Sequence, residues 1–199
     1  MATSARFAAL VGGVTLTLAL AGCGGGGGGG EASSAAAVPA AQISPEHNEA
    51  DVRFAQQMIP HHQQAVEMTE LAADRAESGE VKDLAEQISA AQQPEIDTMN
   101  AMLEKWGAMM SGDGSMGGMD MGGMNGMMSP QQMTELQNAS GAAFDRMFLE
   151  MMTAHHEGAV EMARAEQVDG QNPQAIELAK QIESTQLQEI ERMQELLAS

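Results

Sequence analysis

Two His–His pairs are the residues of this sequence best suited to chemistry. They are His61-His62 and His155-His156, 94 residues apart. Each pair is followed, 33 residues after its second histidine, by a glutamate, Glu95 or Glu189. Imidazole nitrogen is a common metal ligand, and a carboxylate can either bind a metal or orient an imidazole that binds one. The spacing therefore predicts two copies of one polar site, with the glutamates as ligands or as orienting groups.

Methionines accompany both pairs at helical spacing. The set is Met58, Met68 and Met99 with the first pair, and Met152, Met162 and Met193 with the second. Thioether sulfur is soft and neutral, so it suits Cu(I) and Ag(I) and suits hard cations poorly. Methionine at this spacing is also ordinary core filler, and one histidine of each pair could simply hydrogen-bond the glutamate. Metal binding and a purely structural polar layer both stay open on spacing alone.

A methionine-rich tract separates the two copies. Residues 109–133 hold nine of the 19 methionines, spaced by Gly, Asp, Asn and Ser. This stretch has no apolar periodicity and too much glycine to fold alone, so core packing does not explain its methionines. We predict a disordered loop over 108–129 that binds Cu(I), although compositional drift or a sticky interaction loop are alternatives. The candidate ligands are Met116, Met119, Met121, Met124, Met127 and Met128.

The elements that must position these groups follow from an internal repeat. Residues 51–103 align with 145–197 without a gap, and 18 of the 53 aligned residues are identical. A repeat of this length indicates two copies of one supersecondary unit. In each unit the apolar residues recur at helical spacing on both sides of a short turn, which indicates a helical hairpin. The predicted helices are 45–77, 80–106, 130–169 and 173–197, and the predicted fold is an all-α four-helix bundle built from two duplicated helical hairpins.

The turn positions predict which residues face each other inside a hairpin. His61 lies 17 residues before Ser78, where the first turn is centred, and Glu95 lies 17 residues after it. In an antiparallel hairpin these two residues are at one level, and the same count about Asn172 pairs His155 with Glu189. Met58 is level with Met99, and Met152 with Met193. The sequence therefore predicts a layer of Met, His and Glu near the middle of the bundle.

The N-terminus resembles a bacterial lipoprotein signal. A short apolar run ends in the letters LAGC, and the last of these, Cys23, is the only cysteine of the chain. We predict a signal peptide over 1–22, a lipidated Cys23, a flexible tether over 23–43 and a folded domain over 44–199. The protein is then extracytoplasmic and lipid-anchored to the bacterial cell membrane. The simpler alternative is an ordinary signal peptide with a chance cysteine.

Composition excludes several classes of function. The formal net charge is −19, with nine basic residues against 28 acidic ones, and no basic cluster suited to nucleic acid occurs. A single cysteine excludes intrachain disulfides and every multi-cysteine zinc or iron–sulfur site. Neither a nucleophile–base motif for hydrolysis nor a glycine-rich phosphate loop after a strand is present. We therefore expect a non-enzymatic protein.

The pattern resembles a known bacterial family. Met58-x-x-His61-His62-x-x-Ala65-x-x-Met68 with Gln92-x-x-Glu95-Ile96-x-x-Met99 is similar to the motif of the family called domain of unknown function 305, and the second repeat matches it too. The resemblance covers about 46–198 apart from the tract, which is unusual for the family. It implies a ferritin-like four-helix bundle. It also implies extracytoplasmic copper or silver binding through Met and His, because some members are linked to that role.

Three functions compete at this point. The first is a copper-binding (Cu+) or silver-binding lipoprotein that buffers, stores or transfers the ion, with a copper donor or acceptor protein as a possible partner. The second is a non-metal helical interaction module whose buried polar layer only fixes the register. The third is a ferritin-like di-metal oxidoreductase, which ranks lowest because no glutamate lies three residues before any of the paired histidines. The sequence does not indicate an oligomeric state.

Overall fold

A computed structural model of the chain describes residues 42–109 and 126–199. The elements in these ranges are α1 (Glu49–Arg75), α2 (Gly79–Trp106), α3 (Pro130–Asn138), α4 (Ala142–Asp169) and α5 (Pro173–Ala198). The prediction of an all-α fold with four long helices is confirmed. Within the same ranges, no helix combines the length and the apolar character that a bilayer crossing requires.

The four long helices form two antiparallel hairpins that pack face to face. Helix α1 packs along α2, and α4 packs along α5, while α1 also packs against α4 and α2 against α5. Helices α1 and α4 run antiparallel, because the amide of Gly141, just before α4, donates to the carbonyl of Arg75 at the end of α1 (2.8 Å). The middle of α1 therefore crosses the middle of α4, which is where each His pair lies.

Helix α1 begins later than the sequence signals indicate. A helix that starts at residue 45, as predicted, would have Ser44 as its N-cap, a role that suits serine, but the helix begins at Glu49. Its N-cap is Asn48, which forms a capping box with Asp51. The Ser44 amide instead donates to the side chain of Gln174 on α5 (3.1 Å). Ser44 therefore contacts α5 and does not cap α1, so the predicted start of this helix is wrong.

The predicted third helix, 130–169, is broken in two. Its start is correct: Ser129 and Gln132 form the expected capping box at the beginning of α3. Helix α3 then ends at Asn138, and α4 begins only after Gly141, whose φ of 62° lies in the left-handed region. Glycine adopts this conformation at little cost, and it lets the chain change direction there. The prediction of one continuous helix is wrong at this turn.

Candidate metal centre

The four paired imidazoles form one buried layer at the crossing of α1 and α4. All four histidines have no exposed surface. The rings of His61 and His155 are in contact, with their centroids 3.8 Å apart and their planes at 38°. His156 continues the row, with its ring centroid 6.4 Å from that of His155. The two sites predicted from the repeats are therefore halves of a single site, joined through these two rings.

Each glutamate hydrogen-bonds the second histidine of its pair. Nε2 of His62 lies 2.7 Å from Oε2 of Glu95. Nε2 of His156 lies 2.8 Å from Oε2 of Glu189 in the second repeat. The count from the turns put His61 level with Glu95 and His155 level with Glu189, but it left open which histidine of each pair bonds the glutamate. Neighbouring helical residues differ by only 1.5 Å in level but by about 100° in direction, so the level was predictable and the partner was not.

These hydrogen bonds determine which nitrogen of each imidazole is available. A carboxylate only accepts, so in a neutral imidazole the bonded Nε2 carries the proton and Nδ1 keeps its lone pair. Nδ1 of His62 and Nδ1 of His156 are both buried and have no hydrogen-bond partner among the described residues. A carboxylate that orients a metal-binding imidazole forms this arrangement. Glu95 and Glu189 are therefore placed to orient imidazoles rather than to bind a metal themselves.

His155 lies between the rings of His61 and His156. Both of its ring nitrogens are buried without a regular hydrogen bond to another described residue. Burial lowers the pKa of His155 well below its ordinary value of 6.5, and the neighbouring imidazoles of His61, His156 and His62 lower it further. The ring therefore stays neutral in mildly acidic solution, so one of its nitrogens keeps the free lone pair that a metal ligand requires.

Several of the predicted methionine ligands are buried in the same bundle core as the imidazoles. The fully buried ones among the predicted ligands are Met58, Met68, Met99, Met152 and Met193, whereas Met162 is only half-buried. Met58 and Met99 belong to one apolar cluster, and Met152 and Met193 belong to the other. The hydroxyl of Thr153 lies 3.8 Å from the sulfur of Met193. The core that holds the imidazoles therefore contains soft thioethers as well as the carboxylates of Glu95 and Glu189.

Harder ligand sets do not converge in the part of the chain that the structure describes. There, no three His, Cys, Asp or Glu side chains come together as a Zn²⁺ or di-iron site needs. Monovalent copper needs fewer ligands of this kind, because thioether sulfur and imidazole nitrogen satisfy it. The described residues therefore do not form a carboxylate-rich or cysteine-rich site of the zinc or di-iron kind.

The structure describes only the two ends of the methionine tract, Met109 and residues 126–133. The predicted ligands Met116, Met119, Met121 and Met124 lie outside the described residues, as does Cys23. Met127 is half-buried and Met128 is buried. The side chain of Gln64, on α1, bonds the backbone of Met128 twice, at 2.8 Å and 2.7 Å. The tract therefore returns to the bundle beside the helix that carries the first His pair.

The family comparison decides what kind of chain carries this layer. The model of the family described as domain of unknown function (DUF305) matches residues 51–197. The chain belongs to the DUF305 family. A comparison with curated proteins found no match.

Solved structures include several DUF305 relatives. A DUF305 protein of Streptomyces coelicolor, considered to be secreted, is 35% identical, with a TM-score of 0.67 over 75% of this chain and 91% of that one. A DUF305 fragment from Deinococcus radiodurans is 32% identical, with a TM-score of 0.68 over 77% and 99%. CopM in its Cu(I)-bound form is 30% identical, with a TM-score of 0.61 over 73% and 94%. The same protein has also been solved with Cu(II) and with silver.

Two glutamines of the DUF305 motif lie beside the glutamates of the layer but were not predicted as site residues. Gln92 and Gln186 are both buried, one turn before Glu95 and Glu189. Neither end of the Gln92 amide has a hydrogen-bond partner among the described residues, and the Gln186 oxygen has none either. Their identity in both repeats was the signal that could have identified them. Buried amides without partners are costly and call for a ligand, an ion or a water molecule nearby.

The DUF305 domain also contains a buried acidic pair at one end of the bundle. Asp51 on α1 and Glu166 on α4 are 0% and 2% exposed. As a carboxylate Glu166 has no donor on either oxygen, but as a carboxylic acid it can donate to Asp51. Burial, the bond to Asp51 and the charges of Asp51 and Asp169 raise the pKa of Glu166 to about 9, against a smaller opposing effect of Arg53. The pair therefore holds one proton at neutral pH.

Proposed function

We propose that this protein binds Cu(I), or Ag(I), in the buried layer and buffers, stores or transfers it without catalysing a reaction. One observation carries the proposal: Nδ1 of His62 and Nδ1 of His156 are buried lone pairs without partners. Each of these imidazoles is oriented by a carboxylate on its other nitrogen, at 2.7 Å and 2.8 Å. Such oriented and unsatisfied imidazoles are costly in a core unless something binds them.

The surrounding atoms favour a soft monovalent ion. His61 and His155 supply further imidazoles, and the buried thioethers of Met58, Met99, Met152 and Met193 supply neutral sulfur. Neutral ligands balance a monovalent ion without leaving excess negative charge in the core, and soft sulfur prefers Cu(I) and Ag(I). The Cu(I)-bound and silver-bound forms of the relative CopM support this choice of ion.

The methionine tract is proposed to add capacity. Its thioethers do not titrate, so its binding of Cu(I) should change little with pH between 5 and 7. The layer contains imidazoles and forms the more ordered of the two sites. A copper donor or acceptor protein would then exchange the ion with the tract or the layer.

The location that we propose is outside the cytoplasm, held to the membrane by lipid on Cys23. The LAGC signal and the related Streptomyces protein support this location. Replacing Cys23 by serine should release the protein from the membrane fraction or leave it unprocessed. If Cys23→Ser is processed and retained like wild type, the lipid anchor is ruled out.

An anaerobic Cu(I) titration tests the proposed binding. The variants are wild type, a deletion of residues 110–124, and that deletion combined with His61→Ala and His155→Ala. The deletion leaves five steps between Ala108 and Met128, up to about 17 Å of chain. Their partners Gln56 and Gln64 lie eight residues apart on α1, about 12 Å, so the shortened loop still reaches.

The three proteins should bind successively less Cu(I). The deletion removes four of the six candidate tract ligands, Met116, Met119, Met121 and Met124, and the added histidine changes remove two imidazoles from the layer. Circular dichroism of each apo-protein checks that the bundle is intact. Equal stoichiometry in all three proteins would reject both sites.

The second candidate function is an interaction module without a metal. The His62–Glu95 and His156–Glu189 hydrogen bonds favour it, because each partly satisfies a buried polar pair and could fix the register of the helices. The same titration separates the two candidates, since a register layer binds no Cu(I).

A further inference from the structure

A short segment near the end of the methionine tract, Gly126–Met128, is bound across the crossing of α1 and α4. We call it the strap. The amide of Met128 donates to Oε1 of Gln64 at 2.7 Å, and Nε2 of Gln64 donates to the carbonyl of Met128 at 2.8 Å. One side chain therefore fixes both the position and the direction of the strap backbone. The Met128 side chain is 8% exposed and packs in the apolar cluster that contains Met152.

The other end of the strap lies directly on α4. Gly126 has a φ of 83°, and a Cβ at this position would lie 2.7 Å from the carbonyl oxygen of Ala154 and 2.9 Å from that of His155. It would also lie 3.1 Å from Cα of Gly158. The strap therefore touches the backbone of α4 at His155. Any side chain at Gly126 would push the strap away.

The strap spans both helices that carry the His61–His155 contact. Gln64 is three residues after His61 on α1, and Gly158 is three residues after His155 on α4. Three residues are slightly less than one helical turn, so both contact points lie next to the stacked imidazoles. The strap therefore lies across the groove between α1 and α4, beside these rings.

The two repeats differ at the positions that hold the strap. Gln64 and Gly158 occupy equivalent positions in the alignment of the repeats but are different residues, whereas the Met, His, Ala and Glu residues around them are identical. One repeat therefore supplies the amide that binds the strap, and the other supplies the empty space that the strap backbone enters. The layer is nearly twofold symmetric, but its closure is not.

We propose that the strap closes the imidazole layer on one side and that Gln64 is the positioning residue that holds it shut. This proposal rests on the proposed function, because it states how Cu(I) enters and leaves the layer. Release of the strap should speed exchange of Cu(I) without removing a ligand from α1, α2, α4 or α5.

Three variants of the full chain test the strap. Gln64→Leu keeps most of the side-chain volume but removes both hydrogen bonds, and Gly126→Ala adds the Cβ that has no room. The matched control is Gln56→Ala. Gln56 lies eight residues earlier on α1 and donates to the carbonyl of Ala108 at 2.9 Å, so this change frees the other end of the tract and leaves the strap in place.

The first readout needs no copper. Diethyl pyrocarbonate acylates accessible neutral imidazoles, and peptide mass spectrometry gives its rate at His155. We expect a roughly tenfold faster rate in Gln64→Leu and in Gly126→Ala, and the wild-type rate in Gln56→Ala. Circular dichroism spectra that match wild type show that the bundle remains folded. Equal rates at His155 in all four proteins would overturn the strap, whatever the protein binds.

The second readout is the release of Cu(I) from the preloaded protein to an excess of a Cu(I) chelator. Both strap variants should release the layer-bound ion about tenfold faster than wild type and than Gln56→Ala. Identical release rates would overturn the proposed role of the strap in exchange. If wild type holds no Cu(I) that His61→Ala with His155→Ala removes, the proposed function fails, while the acylation rates still decide whether the strap closes the layer.

Discussion

Asp51 and Asp145, equivalent residues of the two repeats, each accept hydrogen bonds from the turn of the opposite hairpin. Asp51 accepts from the amides of Gln171 and Asn172 at 3.0 Å and 2.8 Å, and Asp145 accepts from Glu77 and Ser78 at the same two distances. Each first helix thus stabilises the turn that ends its antiparallel partner. Two local units become one bundle through these reciprocal bonds at its two ends, with the imidazole layer midway between them.

Removing either aspartate should weaken the whole bundle. Asp145→Ala leaves two turn amides without their acceptor, so we expect the free energy of unfolding to fall by about 1–3 kcal/mol. Asp51→Ala should cost more, because Asp51 is fully buried and also completes the cap of α1. Urea denaturation measures both changes. Asp83→Ala, an exposed change on α2, is the control and should stay within about 0.5 kcal/mol of wild type. An Asp145→Ala protein as stable as this control would contradict the reciprocal bonding.

The carboxylates that orient the imidazoles should matter for copper more than for folding. In Glu95→Gln the amide oxygen can still accept from His62, but it no longer makes the imidazole a stronger donor to a metal. We expect Cu(I) affinity to fall about tenfold or more, with little change in melting temperature. Competition with a Cu(I) chelator measures the affinity. Glu67→Gln, at an exposed position of α1, is the matched control. Equal affinities in the two variants would show that Glu95 does not tune the site.

The low pKa of His155 makes the apo-protein sensitive to acid. The unfolded chain binds a proton at this residue near its ordinary pKa of 6.5, whereas burial and the neighbouring imidazoles keep the folded residue neutral to a much lower pH. The contribution of His155 to the stability of the fold is therefore complete above pH 6.5 and is lost as the pH falls below that value. His155→Gln should flatten this loss. Thermal melts of the metal-free protein from pH 7.5 to pH 4.5 measure it, and an unchanged slope in the variant would contradict the shift.

Glu166 produces the opposite dependence at alkaline pH. Its pKa is raised to about 9, so the folded protein keeps a proton that the unfolded chain loses above its ordinary pKa of 4.5. The stability associated with this proton is complete below pH 4.5 and declines as the pH rises towards 9. Glu166→Gln cannot ionise, so it should melt at a higher temperature than wild type at pH 8 and show a flatter profile. Glu157→Gln, an exposed change on the same helix, controls for the loss of charge. A melting temperature that falls in Glu166→Gln at pH 8 would reject the shared proton.

The periodicity of the sequence predicted the helices well, because apolar spacing and capping residues are local signals. It failed where a distant contact decided the outcome. Serine and asparagine are both good N-cap residues, but Ser44 contacts Gln174 on α5, and α1 begins after Asn48 instead. Gly141 lies inside the predicted helix 130–169, but its positive φ and its hydrogen bond to Arg75 interrupt the helix there.

The polar layer was predicted in composition but not in connectivity. Counting from the turns put Glu95 at the level of the His pair, yet two adjacent histidines point in directions about 100° apart, and the count does not choose between them. The contact of His61 with His155 depends on how the hairpins pack, which no local pattern encodes. Gln92 was not predicted as a site residue, because a neutral amide is not a typical ligand of a soft metal ion.

The different residues at the two strap-holding positions have a consequence for the origin of the fold. A single hairpin that paired with a second copy of itself would build the same stack of imidazoles on a strict twofold axis. Such a homodimer carries the same residue at both equivalent sites, so it could not place glutamine on one side and glycine on the other. Fusion of the two copies into one gene removes this constraint. The difference between Gln64 and Gly158 is then a loss of symmetry after duplication, and it leaves the strap bound on one side of the imidazole layer.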